Sequence, residues 1–169
     1  MFAWAKLYCM KALEKKIWWS YLEEDLQGLI SESLFLLEKT QNWKEEFHDY
    51  SFVVFPAAKA YEGFLKKMFL DLKFITETEY YGKHFRIGRA LNPSLSKELM
   101  KEGIYNKIVK FCGGVDLADK LWETWKLSRN LIFHWFPNET NAITLKQAEE
   151  RIGLVIDAID QSFKECNIS

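Results

Sequence analysis

The sequence predicts an all-α fold, a bundle of helices around one core. Three observations predict it. Only three prolines interrupt the 169 residues, apolar residues recur at helical spacing along most of the chain, and no segment alternates apolar and polar residues as a half-buried strand does. A chain of this length can bury one proper core, so we expect a single domain over 1–169.

The first two predicted helices cover residues 2–19 and 21–39. The extent of the first is open, because its second half carries several lysines among its tryptophans. The second has acidic residues at its beginning and Lys39 at its end, which is the order that the helix dipole favours. The polar run 40–50 is predicted to be a connector, and its His48 an ordinary surface histidine.

The middle of the chain is predicted to contain one strong helix over 55–72, with Pro56 in its first turn. Apolar residues follow in the i, i+3, i+4 pattern of an amphipathic helix. Residues 76–92 have two glycines and no clear period, so we predict a loop there. Short helices are expected at 94–101 and 104–111.

Two further helices complete the predicted bundle. Asp116 is expected to cap a long helix that runs to Phe136, just before Pro137. The last helix is predicted to open with Thr144 and Gln147, which have the spacing of a capping box.

Composition excludes some functional classes and leaves others open. The net charge of −1 argues against a protein that binds nucleic acid through its overall charge, although a local basic patch remains possible. Three widely spaced cysteines without metal-ligand spacing are expected to be reduced, structural thiols. The chain shows no signal-peptide pattern and no apolar run of ~20 residues, so we expect a cytoplasmic protein without membrane association.

The segment SRNLIFHWFP, residues 128–137, places polar residues among bulky apolar ones. On a wheel of about 100° per residue, Arg129, Asn130 and His134 lie away from the core-facing stripe of the long helix, and Trp135 lies within that stripe. Trp122 and Phe133 lie on that far side too. They would pack either against a second copy of the helix, related by a two-fold axis, or against the protein's own N-terminal helices.

Arg129, Asn130 directly after it, and His134 after four intervening residues resemble the Arg-x4-6-His motif of HEPN-superfamily ribonucleases. The stretches YEGFLKKMF and YYGKHF are similar to the HEPN catalytic domain of the RNase LS family of toxins. The resemblance covers about residues 20–165, and 1–19 is expected to be an N-terminal helix peripheral to this core. It implies a HEPN-type bundle, RNA cleavage without metal or other cofactor, a homodimer with two motifs across one cleft, and a toxin–antitoxin or antiviral system with a possible protein antitoxin.

The chemistry of these residues fits RNA cleavage. His134 could transfer protons near neutral pH, and Arg129 could hold phosphate oxygens through its planar fork of donors. Asn130 would share a helical ridge with His134 and orient it or hold a phosphate oxygen. The expected product carries a 2′,3′-cyclic phosphate. The alternative is a helical interaction module, and an Arg129–Glu62 pair inside a buried polar network would be typical of it.

Three further sets of residues are open to two interpretations. Glu62 either pairs with Lys66 at i, i+4 or orients Arg129 or His134. His84, within YYGKHFRIGR, is an auxiliary catalytic or RNA-positioning residue, or part of a solvated loop. The neighbouring Lys83, Arg86 and Arg89, interleaved with aromatics, would bind the backbone of single-stranded RNA.

Overall fold

A computed structural model describes residues 10–94, 103–112, 114–135, 137, 141–166 and 168. The protein is all-α, as predicted, and no strand occurs in these ranges. No helix among them is long and apolar enough to cross a membrane. That the bundle is of the HEPN type stays a prediction.

The α-helices are Met10–Leu13 (α1), Glu24–Thr40 (α2), Ser51–Asp71 (α3), Glu77–Tyr81 (α4), Ile87–Ala90 (α5), Ile104–Phe111 (α6), Gly114–Trp125 (α7) and Leu145–Glu165 (α8). A 3₁₀ turn lies at Ile17–Trp19, and a π turn at Lys126–Asn130 continues α7. Helix α3 packs against α2 and α8, and α7 packs against α8 and α6. The core is therefore centred on α3.

Helix α3 begins earlier than the sequence predicts, so Pro56 lies inside it rather than in its first turn. Hydrogen bonds of Ser33, which is buried on α2, explain how helix α3 tolerates a proline at this position. The Ser33 hydroxyl makes two of them. It donates to the carbonyl oxygen of Val53 at 2.8 Å and accepts from the amide of Ala57 at 2.9 Å. Ser33 thus links the carbonyl of Val53 to the amide of Ala57, on either side of the proline, and also holds α2 against α3.

Tyr61 joins α3 to α7 at the centre of the bundle. Its ring is fully buried, and its hydroxyl donates to the carbonyl oxygen of Leu121 at 3.1 Å. Burial raises the pKa of Tyr61 well above its usual value, so the phenol stays protonated. This contact holds α7 in place directly beside Glu62, the next residue of α3.

Of the helix predicted over 2–19, the structure describes residues 10–19, which are helical only in part. Residues 1–9 lie outside the described ranges, and α1 ends at Leu13. Leu13 and Trp18 are each only 1% exposed, so this segment contributes to the core.

Asp160 of α8 anchors the segment. It accepts from Trp18 Nε1 and Lys16 Nζ, both at 3.0 Å, and pairs with Lys164 at 2.7 Å. Burial pushes the pKa of Asp160 up, but the hydrogen bonds from Lys164, Lys16 and Trp18 more than offset it and lower the pKa.

Residues 76–92, predicted to be a loop, contain α4 and α5, so that prediction was wrong. Thr76 and Glu79 form a capping box at the start of α4. Helices of four or five residues are too short to produce a visible apolar period. The predicted helix 104–111 is confirmed, whereas most of the predicted 94–101 lies outside the described residues.

Helix α7 begins at Gly114, so Asp116 lies in its first turn and does not precede it as a cap. The α-helix ends at Trp125 and the π turn at Asn130, well before the predicted end at Phe136, which is outside the described residues. The capping box of Thr144 and Gln147 at the start of α8 is confirmed.

The prediction of reduced thiols was wrong for two of the three cysteines. Cys112, after α6, and Cys166, after α8, form a disulfide with their Cα atoms 4.5 Å apart. Their sequence separation of 54 residues gave no sign of this proximity. Cys9 lies outside the described residues.

Candidate active site

A cleft of about 580 Å³ lies between the middle of α3, the α5 region and the end of α7. We call it the first cleft. It brings together most of the predicted catalytic and RNA-binding side chains: Glu62, Arg86, Arg89, Arg129, Asn130 and His134. Three guanidinium groups face one carboxylate among these residues, so this cleft is locally cationic although the whole chain has a net charge of −1. Local charge of this sign favours phosphate.

The π turn determines where Arg129 and Asn130 lie. The amide of Leu131 donates to the carbonyl oxygen of Lys126 at 2.9 Å, five residues back. One such turn takes an extra residue, so later positions are rotated by about 100° from those of a continuous α-helix. Ser128, fully buried, anchors the turn by donating to the carbonyl oxygen of Arg151 on α8 at 3.2 Å. Arg129 and Asn130 are consequently half-buried at the edge of the cleft.

His134 lies beyond the helix, which corrects two expectations. It does not share a helical ridge with Asn130, since the π turn ends at that residue. Trp135, expected in the core stripe, is 83% exposed because the chain has left the helix. His134 itself is exposed and lines the cleft, and its carbonyl oxygen accepts from Asn141 Nδ2 at 3.2 Å.

Glu62 forms an ion pair with Arg129, with Oε2 of the carboxylate 3.6 Å from Nε of the guanidinium. The alternative pairing with Lys66 is not the one adopted. The side chains remain 36% and 37% exposed, respectively, so they do not form a buried polar network. The guanidinium carbon also lies 5.9 Å from the centre of the Trp125 ring, within cation–π distance.

Trp122 stacks on Trp125, with ring centres 5.8 Å apart and planes 14° from parallel. Both rings line the first cleft. Gly88 of α5 lies against the Trp125 ring, since a Cβ at that position would be 2.3 Å from Cη2. Residue 88 must therefore be a glycine for α5 to approach the tryptophans this closely.

A second cleft of about 780 Å³ lies between α2, α3 and Phe133. Phe133 packs edge-to-face on Phe55 of α3 at 5.4 Å. The helical wheel placed Trp122 and Phe133 on one shared apolar face, and that prediction was wrong. Trp122 lines the first cleft and Phe133 lines the second. Glu62 and Arg129 line both clefts and form the wall between them.

The basic stretch of residues 83–89 is divided just before α5, which begins at Ile87. Arg86 and Arg89 line the first cleft, whereas Lys83 and His84 are exposed and lie outside its lining. The guanidinium of Arg86 donates to the carbonyl oxygen of Lys83 at 3.1 Å. His84 is therefore not brought together with Arg129 and His134. His48 is exposed, as expected.

Sequence reasoning missed several residues of the two clefts. Asn92 and Trp125 line the first, and Phe55, Lys59 and Lys66 line the second. Phe55, Lys59, Glu62 and Lys66 follow the spacing i, i+4, i+7 and i+11, which is one face of α3. That spacing could have identified Lys59, Glu62 and Lys66 as a charged face of α3, with Phe55 at its beginning.

Within the described ranges, no group of three His, Cys, Asp or Glu side chains is placed to hold a metal ion. No protein-family model, curated protein or solved structure matches this chain. The functional argument therefore depends on the site itself.

Proposed function

We propose that the protein is a metal-independent endoribonuclease of the HEPN type. The observation that supports this best is the first cleft, where Arg129 and His134 are brought together with Arg86, Arg89 and a pair of stacked tryptophans. A general acid or base, cations for the phosphate and aromatic faces for the bases are the groups that cleavage of single-stranded RNA requires.

The reaction would use the nucleophile that RNA carries. A base removes the proton of a 2′-OH, the oxygen attacks the adjacent phosphorus, and an acid protonates the departing 5′-oxygen, which leaves a 2′,3′-cyclic phosphate. His134 performs one of these proton transfers. Arg129 stabilises the phosphorane through charge and paired donors. Asn130 holds a phosphate oxygen from the rim of the same cleft.

Glu62 is a positioning residue in this proposal. It pairs with Arg129, whose guanidinium also lies over the Trp125 ring, so a carboxylate and an aromatic ring both contact this guanidinium. A pre-oriented guanidinium loses less side-chain entropy when a phosphate binds.

Each chain supplies one histidine to the cleft, so the second proton-transfer group would come from another copy in a homodimer. Function as a toxin, neutralised by a protein antitoxin or used against viral RNA, completes the proposal. It follows from the resemblance to HEPN ribonucleases and not from the cleft.

The alternative is a helical interaction module that binds RNA or a protein partner without cleaving it. The Arg129–Glu62 pair favours it, because such a pair would link α7 to α3 in a purely structural role. However, pairs as exposed as this one contribute only about 0–1 kcal/mol to stability. The pair is thus better suited to orienting a ligand-binding arginine than to holding the fold together.

Incubation with a mixed RNA, in EDTA and in Mg²⁺, tests the proposal. We expect equal cleavage in both, with cyclic phosphate ends. His134→Ala should slow cleavage by about 10²–10⁴-fold while leaving the circular dichroism spectrum unchanged, since the residue is exposed. Arg129→Lys should not restore the activity that Arg129→Ala loses, because an ammonium lacks the planar fork.

A requirement for a divalent ion would overturn this mechanism. So would a folded His134→Ala variant that cuts at the wild-type rate. RNA binding without any cleavage by the wild type would instead support the interaction module.

A further inference from the structure

The second cleft combines aromatic and cationic groups along one face of α3. Phe55 keeps 54% of its surface exposed although its ring contacts Phe133. Lys59 and Lys66 line the same cleft, and they are separated by about 10.5 Å of helix. Neither lysine forms an ion pair within the part of the chain that the structure describes.

Among the described residues, the acidic side chains of this cleft, Asp25 and Glu62, form no ion pair with these lysines. Glu62 is paired with Arg129, and Asp25 accepts from the amide of Leu26 at 2.9 Å. Two ammonium groups beside two phenylalanine rings therefore remain available for a ligand that is anionic at one end and flat and apolar at the other. The volume of about 780 Å³ falls in the range of small-molecule sites.

We propose that the second cleft binds a nucleotide of single-stranded RNA next to the phosphate held at Arg129. Its base stacks on Phe55 and Phe133, and its flanking phosphates contact Lys59 and Lys66. This inference rests on the proposed function, since it places the reacting phosphate in the first cleft. Arg129 lines both clefts, so a strand that crosses the Glu62–Arg129 wall leaves one cleft and enters the other at this residue.

A strand of RNA fits this cleft better than an apolar helix of a partner would. A helix docked on Phe55 and Phe133 would bury the nearby lysines without partners, which is costly. A nucleotide satisfies both parts of the cleft, because every base has a face that stacks and every linkage carries a negative charge.

The test uses a fluorescein-labelled, single-stranded 2′-O-methyl RNA, which lacks the nucleophile and stays intact. Fluorescence anisotropy across a salt series measures its affinity for the full chain. Phe55→Ala should weaken binding by about 5- to 100-fold. Lys59→Glu and Lys66→Glu should each reduce the slope of log affinity against log salt by about 0.7.

Matched controls separate these effects from changes in the fold. Phe35, on α2, is 56% exposed and lies outside both clefts, so Phe35→Ala should bind the strand as the wild type does. Lys110→Glu on α6 provides the same charge reversal elsewhere. An abasic strand of equal length should bind the wild type and Phe55→Ala equally, because only the stacking is lost.

The outcomes distinguish this inference from the proposed function. If the wild type does not cut RNA but Phe55→Ala still binds the probe more weakly than Phe35→Ala, the subsite stands and the nuclease proposal fails. If cleavage is normal and the two variants bind alike, the subsite is wrong. If Phe55→Ala turns a dimer into a monomer without changing affinity, the cleft is an interface between copies and the inference is overturned.

Discussion

Arg129 and Glu62 meet between two clefts, with Nε of the arginine 3.6 Å from Oε2 of the glutamate. The π turn after α7 presents the arginine, and the middle of α3 presents the glutamate. Because both side chains are more than a third exposed, their attraction is screened by water and contributes little to stability. The pair instead fixes the direction of a guanidinium that lines both clefts.

Glu62→Gln should therefore change activity more than stability. We expect a loss of about 10- to 100-fold in kcat with little change in KM, because a displaced arginine stabilises the transition state less well. The free energy of unfolding, measured with urea, should change by less than about 1 kcal/mol. Glu123→Gln is the control, since Glu123 pairs with Lys126 at 3.4 Å and lines neither cleft. Equal kcat values for the two variants would contradict a positioning role for Glu62.

The basic stretch should divide into residues that bind RNA and residues that do not. Arg86 and Arg89 line the first cleft, whereas Lys83 lies outside its lining. Arg86→Ala with Arg89→Ala should weaken RNA binding and reduce its log–log salt slope by about 1.4, or 0.7 for each lost phosphate contact. Lys83→Ala, the matched control, should leave the slope nearly unchanged. Unchanged binding by the double variant at every salt concentration would exclude the two arginines as contacts.

The sequence predicts those parts of the fold whose signals are local. The capping box of Thr144 and Gln147 involves residues three positions apart, and the apolar stripe of α3 repeats over several turns. The start of α3 and the π turn could not be predicted in this way. They depend on hydrogen bonds of Ser33 and Ser128 to other helices, which come close only after folding.

The candidate site was predictable in its members but not in its geometry. The spacing of Arg129 and His134 singled out both residues, and Glu62 was one of the residues expected to orient Arg129 or His134. The helical-wheel prediction assumed a continuous α-helix from residue 117 to residue 136, and it therefore placed Trp122 and Phe133 on one face of that helix. The π turn, and the end of the helix at Asn130, separate those rings into two clefts.

Gly88→Ala should destabilise the protein and disturb the first cleft. Its Cβ would lie 2.3 Å from Cη2 of Trp125, so the indole or α5 must move, at a cost of about 1–3 kcal/mol. Gly28→Ala is the control, because a Cβ there meets nothing within 4 Å in an exposed position of α2. It should stabilise the protein by about 0.5–1 kcal/mol. Urea unfolding of both variants measures the difference, and equal shifts would show that the Trp125 contact is not tight.

The disulfide between Cys112 and Cys166 bears on the stability of the fold and on the cellular compartment in which the protein would be found. It links the ends of α6 and α8, and Cys166 is 2% exposed. Stable disulfides are rare in the reducing cytoplasm, so this bond is at odds with the cytoplasmic location that the sequence led us to expect. That location stays a prediction.

Reduction of Cys112–Cys166 should lower the free energy of unfolding by about 2–4 kcal/mol, because the bond closes a loop of 54 residues and restricts the unfolded chain. Urea unfolding with and without a phosphine reductant measures this difference. The double variant Cys112→Ala, Cys166→Ala should unfold equally easily under both conditions, which separates loss of the bond from other effects of the reductant. Thiol titration of the denatured, unreduced protein should find no more than one of the three cysteines reactive. Three reactive thiols would mean that the bond does not form, and a reduced, cytoplasmic protein would then be the consistent interpretation.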